Sequence, residues 1–197
     1  MPKPLQPFRP MNLLHRRAAI LAMLSACTVT THALAQVPSY AMDIEALESM
    51  AEMLIAQGVG EARARYAPGL RSLAPDRALG AIAHERSEMM AHGAPFAHED
   101  EQGRFVAGDR VQQRFGPYGA VGENIMMIRD PSRAFEPDAF ARRAVQGWMD
   151  SPGHRATILS QAYDRSGVGV AINGSFVYAT QVFWGPTKGA ARSRDNR

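Results

Sequence analysis

Near its C-terminus the chain carries two β-rich runs, Val168–Ile172 and Ser175–Trp184, joined by Asn173-Gly174. An Asn-Gly pair between such runs predicts a hairpin with a type I′ turn, because both central positions need the positive φ that Asn and Gly tolerate best. A hairpin here excludes an all-helical bundle and leaves the helical segments before it to cover its faces. Three such segments precede it. Ala41–Gln57 sets Met42, Leu47, Met50, Met53 and Leu54 at three- and four-residue spacings, with Asp43, Glu45, Glu48 and Glu52 between them. That pattern predicts an amphipathic helix with a methionine-rich inner face, punctuated by Gly58 and Gly60. A second helix is expected from Pro75-Asp76 to Ala91, with Leu79, Ile82, Ala83, Met89 and Met90 inward and Gly93 ending it. Residues 94–130 read as loop-rich, and Pro137–Met149 as a third helix with Phe140, Ala144, Val145 and Trp148 facing the core. Helices first and antiparallel strands last give an α+β class.

The 197 residues, 46% of them hydrophobic and one a cysteine, suit one domain with its own core and exclude both overall disorder and a disulfide scaffold. A pI near 9.3 suggests nucleic acid until the charge is located along the chain. Residues 1–35 hold Lys3, Arg9, Arg16 and Arg17 and no acid, while the last ten hold Lys188, Arg192, Arg194 and Arg197 against Asp195. Residues 36–187 keep 14 basic and 18 acidic side chains, a net charge of −4. A body of that sign is not expected to bind nucleic acid.

The basic N-terminus has its own explanation. Arg16-Arg17 precedes an apolar, small-residue stretch from Ala18 to about Val29, and Ala33-Leu34-Ala35 forms a small-x-small cleavage site. Residues 1–35 therefore read as an export signal. Leu24-Ser25-Ala26-Cys27 also fits a lipobox, which would make Cys27 a lipid anchor. Either route places the protein outside the cytoplasm, periplasmic or secreted, with no transmembrane helix. Residues 36–44 are read as a linker, 45–186 as the domain and 187–197 as a basic disordered tail.

Three segments carry candidate chemistry: Phe96-Ala97-His98-Glu99-Asp100, Gly122-Glu123-Asn124-Ile125, and Trp148 through Ser151-Pro152-Gly153-His154-Arg155. Ser151 before Pro152 suits an N-cap with proline at the first helical position. His154 would then lie in a first helical turn, where the dipole favours the neutral imidazole that binds metal or acts as a base. A surface histidine at a helix start fits equally well. His98 and Glu123 suit either metal ligation or a hydrogen bond tying loops to the sheet. Gly122 is read as letting Glu123 approach closely, Asn124 as holding its loop through the backbone, and Arg110 as a structural bridge to an acid. His84, Glu88 and His92 recur every four residues on the second helix, and the outer pair is too far apart for one ion, so they read as a solvated face. Eight methionines in residues 36–197 are read as core filler. Gly167-Val168-Gly169 has no helix after it and is not taken as a phosphate loop.

Taken together, these segments resemble the CAP superfamily (cysteine-rich secretory proteins, antigen 5, pathogenesis-related 1) in its disulfide-free bacterial SCP-like form. The matching pieces are the helix Ala83–Met90, Phe96-x-His98, Gly122-Glu123-Asn124-Ile125, Trp148-Met149-x-Ser151-Pro152-Gly153-His154-Arg155, Gly167–Val170 and Tyr178-x-Thr180-Gln181-x-Phe183, in the family's order over roughly residues 45–186. The resemblance implies an α-β-α sandwich, a small antiparallel sheet between helices, with a cleft lined by two histidines and two acids. His98, Glu123 and His154 match three of those positions. Ser151 stands where the second acid belongs, and Asp150 is the nearest acid but out of register.

Two neutral imidazoles and a carboxylate can hold Zn²⁺ with water completing the set. The expected function is an exported binding module for an envelope component, a lipid or a peptide. The alternative is a metal-dependent hydrolase with His98 and His154 as ligands and Glu123 as ligand or general base. A structural envelope module acting through the basic tail is a third reading.

Overall fold

The computed structural model describes residues 39–117, 119–129 and 135–187, and its fold lies within the unit Tyr40–Arg197. Its elements run α1 (Ser39–Tyr66), β1 (Ala74–Pro75), α2 (Arg77–Ala91), α3 (Val106–Phe115), β2 (Gly119–Arg129), α4 (Pro137–Asp150), α5 (Pro152–Ile158), β3 (Arg165–Asn173) and β4 (Phe176–Pro186). The strands form one sheet in the order β1-β3-β4-β2. The short β1 pairs parallel to the start of β3, and the other pairings are antiparallel. The export signal, Cys27 and the tail from residue 188 onward lie outside the described residues.

Side-chain alternation along the strands sorts the core into two layers. On one face Val168 and Val170 of β3 and Val177, Ala179 and Phe183 of β4 pack with Ile55 and Val59 of α1, Trp148 of α4 and Ile158 of α5. On the other face Val182 and Trp184 of β4 meet Leu79, Ile82 and Ala83 of α2 and Ala107 and Val111 of α3. The result is the expected α-β-α sandwich. The layer with α2 is thin because β3 offers it two glycines. A Cβ on Gly169 would fall 2.0 Å from the backbone nitrogen of His84, and one on Gly167 2.0 Å from that of Gly80.

Several local expectations are corrected. The hairpin forms, but Asn173 pairs with Phe176, so the central residues are Gly174 and Ser175, with Gly174 at φ +61°. Asn173 instead donates its side-chain amide to the carbonyl of Ala91 at 2.6 Å, fixing the hairpin end to α2. Helix α1 begins at Ser39, inside the stretch read as a linker, and continues through Gly58 and Gly60 to Tyr66. Gly58 is a packing position rather than a stop, since a Cβ there would lie 3.1 Å from Val145 of α4. Residues 94–130 are not mainly loop: they supply α3 and the eleven-residue β2.

The inner face of α1 is also rotated from the expected one. Met50 and Met53 are 51% and 61% exposed, while Ala51, Ile55 and Val59 are buried and Glu48 is 6% exposed. The cause is the free edge of β3. Beyond β1 that strand has no neighbour on this side among the described residues, and its outward amides at Val170 and Ile172 donate to the carboxylates of Glu52 (3.0 Å) and Glu48 (2.8 Å). Leaving such amides unsatisfied in a buried edge would cost more than exposing two methionines. Burial raises the Glu48 carboxyl above its ordinary range, against the opposing hydrogen bond from Ile172.

Candidate functional site

The opposite edge of the sheet is β2, and the predicted site residues gather there from both faces. Glu123 lies on β2, His98 follows α2, and His154 is the third residue of α5. Arg86, buried on α2, donates from Nε to Glu123 Oε1 at 3.1 Å and from Nη2 to the carbonyl of Ala97 at 2.7 Å. One guanidinium therefore holds both the glutamate and the peptide just before His98. The other Glu123 oxygen, Oε2, stands 2.8 Å from His98 Nδ1. An ionised carboxylate only accepts, so Nδ1 carries the proton and the neutral ring keeps its lone pair on Nε2.

Residue Asn124, next along β2, points to the other face and donates to the carbonyl of His154 at 3.3 Å, tying α5 to the strand. Trp148 Nε1 donates to the carbonyl of Ile125 at 3.0 Å and does the same for α4. The His98 and His154 rings then meet across the strand edge, with centroids 6.3 Å apart and planes at 61°. Two imidazoles sharing one tetrahedral Zn²⁺, each nitrogen about 2 Å from the ion, place their centroids roughly 5 Å apart, so these rings would draw together by about an ångström to share one.

The two histidines are electrostatically unlike. The hydrogen bond with Glu123 raises the pKa of His98, outweighing its partial burial. Burial lowers that of His154, and the neighbouring His98 adds to it. The expectation of a neutral His154 agrees in direction, but desolvation rather than the dipole of a seven-residue helix is the main cause. His154 Nδ1 is buried without a hydrogen-bond partner, the kind of orphaned nitrogen that a ligand or ion satisfies.

Other site residues depart from expectation. Ser151 occupies the N-cap position of α5, but its side chain makes no capping bond. Backbone bonds close that turn instead, from Ser151 to Gly147 (3.2 Å) and from Arg155 to Ser151 (2.9 Å). Gly122 serves Tyr163 rather than Glu123, since a Cβ there would fall 2.6 Å from the Tyr163 hydroxyl. Arg110 forms a bridge to Glu85 at 2.6 Å, exposed between α3 and α2. Arg86 is the residue that reading the sequence missed. Its one signal was its place between Ile82 and Met90 on the inner face of α2.

Comparison with known proteins places this arrangement. Residues 62–184 match the family model for the cysteine-rich secretory protein family, CAP. The chain belongs to this family. An extracellular protein of Bacillus anthracis containing a SCP domain has a solved structure that is 28% identical at a TM-score of 0.57. That match covers 72% of this chain and 42% of the other. The uncharacterized membrane protein YlbC of Bacillus subtilis is 30% identical over 106 residues, 54% of this chain and 28% of YlbC. The present CAP chain thus spans less than half the length of either relative. NaASP2, solved with Zn²⁺, shares the fold at 16% identity and a TM-score of 0.51, over 68% of this chain and 78% of that one. Among the described residues, no helix is long and apolar enough to cross a membrane.

Proposed function

We propose that this chain is an exported CAP-domain binding protein whose cleft at the β2 edge takes up an envelope component, a lipid or a peptide. The observation that carries this reading is the burial of Glu123. Its side chain has no exposure to solvent, and its two oxygens face Arg86 and His98, so it presents no carboxylate to a water in the cleft. Among the described hydrogen bonds, none joins the Ser151 hydroxyl to His154. What remains is a pair of oriented rings at a sheet edge, suited to recognition. Export is supported by the N-terminal charge and apolar pattern, and by the extracellular relative from Bacillus anthracis.

With a small closure of the two rings the cleft would also take a Zn²⁺ ion, with a changed role for the carboxylate. His98 Nε2 and a nitrogen of His154 would hold it, and Glu123 would orient His98 from behind, in the carboxylate–histidine arrangement typical of zinc sites. The unpartnered His154 Nδ1 favours this assignment. When bound, the ion would offer open positions to an anionic or carbonyl group of the ligand.

Retention of purified protein on peptidoglycan and on lipid vesicles tests the proposal, comparing the parent with His98→Ala/His154→Ala. The double variant is expected to lose retention on one of these matrices, and equal retention on both would overturn the binding reading. The hydrolase reading is favoured by one observation, the Glu123–His98 pair facing His154. Peptide turnover requiring both His154 and stoichiometric Zn²⁺ would establish it instead.

A further inference from the structure

The sheet has a second place where helices from its two faces meet, at the free edge of β3. There α1 supplies Glu48 and Glu52, and α2 supplies His84 and Glu88. Glu52 Oε1 lies 3.2 Å from His84 Nδ1 while also accepting from the Val170 amide. The carboxylate fixes the proton on Nδ1 and leaves Nε2 as the lone-pair nitrogen, 4.0 Å from Glu88 Oε1. Glu48, anchored through Oε1 to the Ile172 amide, completes the group. One ligand atom each from Glu48, His84 and Glu88 lie within 4.8 Å of one another.

The three residues of the solvated face of α2 are not equivalent. His92 is 72% exposed, whereas His84 and Glu88 are part-exposed and also face two carboxylates from another helix. From the juxtaposition of Glu48, His84 and Glu88 across the β3 edge, we propose a second divalent-metal site, separate from the cleft, with Zn²⁺ as the ion its donor set suits best. An imidazole nitrogen with two carboxylates is a transition-metal set rather than a calcium one. Ligand atoms about 2 Å from a common ion lie up to roughly 4 Å apart, so closure requires only side-chain adjustment. Three carboxylates with only a histidine among them also repel one another, and a cation relieves that repulsion. Arg77 lines the same groove but pairs with none of these acids among the described salt bridges. Glu52 acts as a positioning residue, orienting His84 as Glu123 orients His98. The ion would pin α1 to α2 and close the open edge of the sheet.

Zn²⁺ titration by calorimetry, with elemental analysis after gel filtration, tests this in the cleft-null His98→Ala/His154→Ala protein. One equivalent is expected to remain bound and to raise the melting temperature. Adding His84→Ala and Glu88→Gln, both at partly exposed positions, is expected to abolish it, with the metal-free melting temperature reporting on folding. Glu52→Gln is expected to weaken it by about 10- to 100-fold, the range for loss of such a supporting carboxylate. No Zn²⁺ bound by the cleft-null protein, or uptake unchanged by His84→Ala/Glu88→Gln, would overturn the proposal.

Discussion

Glu123 and Arg86 form a buried pair whose two charges depend on each other, and His98 takes its orientation from that pair. Removing one partner strands the other. Arg86→Met is therefore expected to destabilise the protein by about 3–5 kcal/mol in urea denaturation. Arg86→Met/Glu123→Gln should lose less than the single change, because no naked carboxylate remains. In the metal-free protein, histidine NMR titration should show His98 protonating above the ordinary imidazole range and His154 below it, from the hydrogen bond and the burial that shift them. The His98–Glu123 contact stabilises fully below the unfolded-state pKa of about 6.5 and fades as pH rises through the higher folded value. Hence His98→Gln should cost more stability near pH 5.5 than near pH 8, about one unit below and one and a half units above that reference. His154 works the other way, with stability lost as pH falls from its unfolded value toward its lower folded one. The three cleft residues were legible because histidine and glutamate in such motifs suggest chemistry. Arg86 was not, because an arginine within an amphipathic helix is assigned to solvent until its partner is seen.

At the scale of elements, α1 shows how a neighbour sets a helix face. Spacing alone allowed Met50 and Met53 to point inward, and the unpaired edge of β3 turned the helix to bring Glu48 and Glu52 there. Met50→Lys and Met53→Lys should each change stability by less than about 0.5 kcal/mol, whereas Ile55→Ala should cost about 2–5 kcal/mol. Thermal or chemical denaturation of the three variants separates the two faces. Strand β3 against α2 is the other close contact. A methyl group at residue 169 has no room beside the His84 backbone, so Gly169→Ala should destabilise by about 1–3 kcal/mol or more. The Gly-Val-Gly run, discounted as a phosphate loop, is thus where helix and strand touch. Helix α3 and strand β2 escaped notice because glycines and polar residues interrupt their patterns. Both are held by partners, α3 by Leu79 and Val182 in its core layer and β2 by pairing with β4 along its whole length.

Over the whole molecule, the sheet has two edges and a polar constellation at each. At β2 the edge holds the imidazole pair, and at β3 the glutamates of α1 stand in for a missing strand. Amide hydrogen exchange should therefore find Val170 and Ile172 protected to nearly the same degree as the β3–β4 ladder, although no strand lies outside them. Rapid exchange at both would mean that α1 does not seal this edge. By itself the sequence determined what depends on local pattern and residue chemistry: the three main helices, the hairpin, the family, and the choice of His98, Glu123 and His154 as candidates. Tertiary structure alone decided which oxygen of Glu123 meets which partner, where Arg86 lies, which face of α1 turns inward, and that Glu48 reaches His84. Those facts depend on groups far apart in the chain competing for the same buried hydrogen bonds, and periodicity along one segment carries no record of that competition.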